Sequence, residues 1–92
     1  MTRKYKVRFG KRAQESLKKI DKSSSRIIMA WIKKNLQDCE DPYNHGKPLE
    51  GPFKGQWRYR IGDYRIISHI DNEDNIILLL EIKYRKDAYK LK

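Results

Sequence analysis

One cysteine, two histidines and no long apolar run set the first limits on this 92-residue chain. Cys39 alone cannot close an internal disulfide, and a solitary thiol suits a reducing cytoplasm. His45 and His69 stand far apart and share no ligand spacing with Cys39, so neither a zinc nor an iron site is expected. No other cofactor is implied. The longest apolar run, Ile76–Leu80, falls well short of the roughly 20 residues that span a bilayer. It reads as a buried strand, and no membrane partner is expected. The N-terminus has no apolar h-region, so a signal peptide is not expected. Repeats and low-complexity segments are missing as well, and residues 1–92 read as a single domain. Acidic side chains are scarce: 12 Asp and Glu against 22 Lys and Arg give a formal net charge of +10. That imbalance favours an anionic partner, whether nucleic acid, an acidic protein or an anionic surface.

The order of elements follows from periodicity. Tyr5, Val7 and Phe9 alternate with Lys6 and Arg8, predicting a half-buried strand over 4–9. Ala13, Leu17 and Ile20 recur at helical spacing and predict an amphipathic helix over 11–20. Asp21 or Ser23 then caps a second helix, which carries Ile27, Ile28, Trp31, Ile32 and Leu36 and runs to about Asp38. The connection is so short that the two helices form an αα-hairpin. Asp41-Pro42 ends the second helix, and residues 41–55 form a loop rich in Gly and Pro. Strands follow at about 56–62, 64–71 and 75–82, with a polar hairpin loop at 71–75. Residues 83–92 make a short, basic, aromatic C-terminal tail. The class is α+β. A helical hairpin covers one face of an antiparallel sheet of about four strands, with the N-terminal strand beside the last.

Residues 55–65, Gly-Gln-Trp-Arg-Tyr-Arg-Ile-Gly-Asp-Tyr-Arg, carry the most information. Trp57, Tyr59 and Ile61 share one face of a strand; Arg58 and Arg60 share the other. Gly62-Asp63 supplies a tight turn, and Arg65 lies just beyond it. Arginines gathered on one sheet patch above an apolar face suit a rigid phosphate cradle. The plainer reading is a solvated or protein-binding surface. Trp31, Trp57 and Tyr59 read as core rather than as platforms for bases. His69 shares strand parity with Arg65, and either faces the site or is an inert surface histidine.

These segments resemble the RelE/ParE superfamily of bacterial toxins, over nearly the whole chain. The resemblance rests on Asp41-Pro42 followed by His45-Gly46-Lys47-Pro48-Leu49, on the stretch 55–65, and on Glu81-Ile82-Lys83-Tyr84-Arg85-Lys86-Asp87-Ala88-Tyr89. It is nearest to the RelE side and implies a RelE-like fold. It further implies a metal-independent endoribonuclease that cuts mRNA in the ribosomal A site, and an acidic RelB-like antitoxin partner. The catalytic set it implies is Arg58, Arg60, Arg65, Arg85 and Tyr89. Lys54, His45, Lys83, Tyr84 and Lys86 are implied RNA contacts. One departure stands out: many relatives read Gly-His-Arg where this chain has Lys83-Tyr84-Arg85. A histidine base is therefore missing from that segment. The alternatives within and beyond the superfamily are a ParE-like inhibitor of DNA gyrase and a non-catalytic module that binds RNA or antitoxin.

The implied reaction needs no metal. A 2′-hydroxyl attacks the adjacent phosphate, and permanently charged, planar guanidinium groups stabilise the crowded phosphate bidentately. Tyr89 either exchanges a proton or stacks on a base.

Overall fold

The computed structural model describes residues 4–49 and 55–84. Five strands form one mixed sheet in the order β1-β5-β4-β3-β2. They are β1 (Lys6–Phe9), β2 (Lys47–Pro48), β3 (Trp57–Ile61), β4 (Tyr64–Asp71) and β5 (Ile76–Tyr84). Helices α1 (Lys11–Lys19) and α2 (Lys22–Asn35) follow β1 directly and form the expected hairpin. Asp21 is the residue that caps α2, its carboxylate accepting from the Ser24 amide at 3.0 Å. Helix α2 ends at Asn35, short of Asp38, where the backbone turns at φ 62°.

The helices cover one face of the sheet. Ala13 from α1 and Ile28 and Ile32 from α2 bury against Tyr59, Ile61, Ile66, Ile70, Ile77, Leu79 and Ile82, and Leu36 completes the cluster. Polar groups drawn into this layer are satisfied, as burial requires. The Tyr59 hydroxyl donates to the Pro42 carbonyl at 2.6 Å, and the Ser68 hydroxyl to the Trp57 carbonyl at 2.9 Å.

Two features depart from the expected antiparallel, four-stranded sheet. Strand β1 pairs with β5 in parallel, Val7 opposite Ile77 and Phe9 opposite Leu79. Alternation specifies which face a side chain takes, not which way a strand runs, so the direction was invisible in the pattern. The fifth strand, β2, is only two residues long and includes Pro48, which an edge position tolerates because one side needs no ladder donor. The free edge of β1 is occupied too: the Val7 amide donates to the Gln37 side chain, and the Asp38 amide to the Tyr5 carbonyl.

Lys83 and Tyr84, expected in a tail, belong to β5. Their pairing continues the ladder, Lys83 opposite Arg65 and Tyr84 opposite Tyr64. The remainder of the expected tail lies outside the described residues.

Candidate nucleic-acid interface

The β3–β4 hairpin sets the site's geometry. Gly62 turns the chain at φ 57°, a conformation that L side chains rarely adopt, while no atom stands within 4 Å of where a Cβ would be. The backbone, not space, therefore asks for glycine. This tight turn fixes the register, with Arg60 opposite Arg65 and Arg58 opposite Ile67. On β5, Lys83 faces Arg65 and Glu81 faces Ile67. Two rows thus cross the uncovered face: Arg60–Arg65–Lys83, and Lys47–Arg58–Ile67–Glu81. Facing side chains in such rows stand only about 4.5–5.5 Å apart at Cβ, and like charges placed so are destabilising. Three cations set side by side across neighbouring strands make a strongly positive row, and such a row suits a polyanion.

An irregularity in β5 makes these rows possible. The pairing shifts between Ile67 and Ser68, where Ser68 faces Leu79 and Ile67 faces Glu81, leaving Leu80 as the extra residue of a β-bulge. Strict alternation from Leu79 would send Glu81 and Lys83 into the core and Ile82 out. The bulge restores Ile82 to the core, where it is 5% exposed, and turns Glu81 and Lys83 onto the arginine face. Lys83 Nζ lies 3.6 Å from Glu81 Oε1. Beside them a groove of about 610 Å³ has Leu49, Ile67 and Leu80 as apolar lining and Arg65, Glu81 and Lys83 as polar lining. Lys11 and Arg12, at the start of α1, bring further positive charge to its rim.

The other expected site residues divide between places. Tyr84 turns away from the arginine rows to the helix side, its ring 5.2 Å from that of Tyr64. There the two rings line a separate hollow of about 630 Å³ beside Ile20 and Asp21. The His45 ring meets Trp31 of α2 edge-on at 5.5 Å, and the His45 carbonyl accepts from Trp57 Nε1 at 2.6 Å. Its neighbour Gly46 takes φ 81°, and a Cβ there would collide with the Arg58 carbonyl. His45 is thus part of a close packing of loop on strand. His69 does share the outer face with Arg65, but the two stand four positions apart on the strand, roughly 13 Å at the usual rise. Lys54, Arg85, Lys86 and Tyr89 lie outside the described residues. Glu81 and the apolar groove were not foreseen. The signal for both was Glu-Ile-Lys at the end of an apolar run, alternating in a way that the run could not phase.

Burial pushes the Cys39 thiol up, away from the thiolate form that nucleophilic or redox work needs. Burial likewise raises the Tyr59 phenol and keeps it neutral. Among the described residues, no three His, Cys, Asp or Glu side chains cluster as a metal site, and no helix is long and apolar enough to cross a membrane.

The ParE toxin family of type II toxin–antitoxin systems (parDE) matches residues 7–89. The chain belongs to the RelE/ParE superfamily of type II toxins. Toxin RelG of Mycobacterium tuberculosis is 32% identical over 87 residues, covering 94% of this toxin and 97% of RelG. Among solved structures, the RelBE2 toxin–antitoxin complex of the same organism matches with a TM-score of 0.81 at 26% identity, over 92% of this toxin and 98% of that chain. The archaeal RelE–RelB complex of Pyrococcus horikoshii matches with a TM-score of 0.69 at 25% identity, over 90% and 97% of the two chains. The toxin therefore has the RelE-like α+β fold, in the form of two helices on a mixed five-stranded sheet.

Proposed function

We propose that this toxin is a RelE-type, ribosome-dependent endoribonuclease that cleaves mRNA in the A site. The observation that carries the reading is the cross-strand row Arg60–Arg65–Lys83 with Arg58 beside it. A gyrase-poisoning toxin has no need of cations concentrated in this way, whereas a scissile phosphate does. In the reaction, the 2′-oxygen attacks phosphorus and the 5′-oxygen leaves. Arg65 and Arg60 hold the non-bridging oxygens, and Arg58 and Lys83 bind the flanking backbone. Arg85 joins them at the phosphate and Tyr89 exchanges a proton, as the resemblance implies; Lys54 and Lys86 add backbone contacts. The strands hold the arginines rigid, which suits preorganised charge stabilisation. The ribosome aligns the message, a contribution that can reach about 7–11 kcal/mol. The reading locates the reaction in the cytoplasm.

An acidic, RelB-like antitoxin silences the toxin. Two considerations support this partner: the net charge of +10, and the toxin–antitoxin complexes among the relatives of the same fold. Electrostatic steering would make association slow as salt rises.

The deciding experiment is primer extension on a translated message with purified ribosomes. Codon-spaced cuts that require both toxin and ribosomes are expected. The match to the ParE toxin family favours a second reading, inhibition of DNA gyrase. DNA damage with intact message would establish that reading and reject the first.

A further inference from the structure

The arginine face needs a proton acceptor, and the cations on it cannot serve. Lysine and arginine are donors in their charged forms. Glu81 is the one carboxylate in the two rows that cross the face. It stands there because of the bulge at Leu80, which turns it out of the core. It lines the same groove as Arg65, and the two positions are diagonal neighbours across β4 and β5, roughly 7–8 Å apart. Its side chain is 32% exposed, accessible to a bound strand without being fully immersed in solvent.

We propose that Glu81 is the general base of this site. This inference rests on the endonuclease reading above. The Glu81 carboxylate takes the proton of the 2′-hydroxyl as the 2′-oxygen bonds to phosphorus. The bond from phosphorus to the 5′-oxygen breaks, leaving a 2′,3′-cyclic phosphate, and the departing 5′-oxygen takes the proton whose exchange the endonuclease reading assigns to Tyr89. Lys83 Nζ, 3.6 Å from one Glu81 oxygen, holds the carboxylate on this face, and the other oxygen is the one that takes the proton. The charged groups around it are Lys83 on its own strand, Arg65 on β4, Arg58 along its row on β3, and Lys11 and Arg12 from α1. All are cations. The apolar Ile67 and Leu80 beside it offer a seat for the nucleobase whose ribose is attacked.

The test is single-turnover cleavage of ribosome-bound message by wild type, Glu81→Gln and Glu81→Asp, across a pH series. Thermal unfolding and ribosome co-sedimentation accompany each variant. The expected result is a loss of about 10²–10⁴-fold for Gln, the usual contribution of a positioned acid–base group. Ribosome binding should be intact, and the acidic limb of the wild-type profile should vanish in Gln. Asp should retain that limb at a reduced rate, which keeps the test open should Gln fold poorly. A Gln variant within about threefold of wild type would overturn the proposal alone. A slower Gln variant with an unchanged profile would also overturn it and leave Glu81 a positioning residue. Wild type that leaves the message intact would overturn the endonuclease reading and this proposal together.

Discussion

The two faces of one sheet behave as two different materials. On the helix side, Tyr59, Ile66, Ile77 and Leu79 are wholly buried, and the polar atoms among them have partners. On the other side, the same strands carry Arg58, Arg60, Arg65 and Lys83, with Arg60 opposite Arg65 and Arg65 opposite Lys83. Residues adjacent in sequence belong to opposite regimes. The first face is built for stability, because burial of apolar area drives folding. The second concentrates positive charge, which suits a polyanion. In a chain this small, the pleat is what allows both to coexist on the same strands.

Substitutions on the two faces should separate stability from activity. The largest effect is expected at Tyr59. Tyr59→Ala should cost about 3–5 kcal/mol, the range for truncating a buried aromatic. Tyr59→Phe should cost about 1–3 kcal/mol by orphaning the Pro42 carbonyl. Denaturant unfolding measures both, and a near-neutral Ala variant would contradict the packing described.

The next contrast tests the bulge. Ile82→Ala should destabilise by about 2–5 kcal/mol, as for other core truncations. Lys83→Ala, one residue on, should stay within about 0.5 kcal/mol of wild type, as surface changes do, yet bind ribosome-bound message more weakly. The reverse order in unfolding experiments would show that β5 is phased without the bulge.

On the cationic face, Arg65→Ala should lower the cleavage rate by about 10²–10³-fold, the cost of one preorganised donor. Its unfolding midpoint should stay close to that of wild type, since Arg65 lies outside the buried core. Arg60→Ala, more exposed at the end of the row, should lose less. Full activity in folded Arg65→Ala would remove this face from the reaction.

The smallest effect is expected at the sheet's edge, where Lys6 contacts Asp38. That hydrogen bond and charge hold the Asp38 carboxyl below its ordinary value of 3.8. The folded pKa lies below the unfolded one, so the contribution is present above about 3.8 and is lost as pH falls through the folded value. Asp38→Asn, which tolerates the same left-handed backbone, should flatten the acid side of the stability–pH curve slightly. An identical curve would show the exposed pair to be inert.

Most of this could be read in the chain before its structure. Tyr59 and Ile61 facing in, Arg58 and Arg60 facing out, the glycine turn at Gly62 and the Asp21 cap are local consequences of period, backbone freedom and hydrogen bonding. They need no partner strand to be legible. The expected helix and strand boundaries moved by only a few residues. What tertiary structure alone decided lies where no local rule applies. The run Ile76–Leu80 is apolar throughout and carries no phase, so only pairing with β4 could show that Leu80 is the extra residue. That pairing sends Glu81 and Lys83 to the arginines and Tyr84 to Tyr64. The parallel direction of β1 and the packing of His45 on Trp31 are likewise contacts between distant segments. Periodicity determines the two faces of each strand; the register between strands determines which residues meet on them.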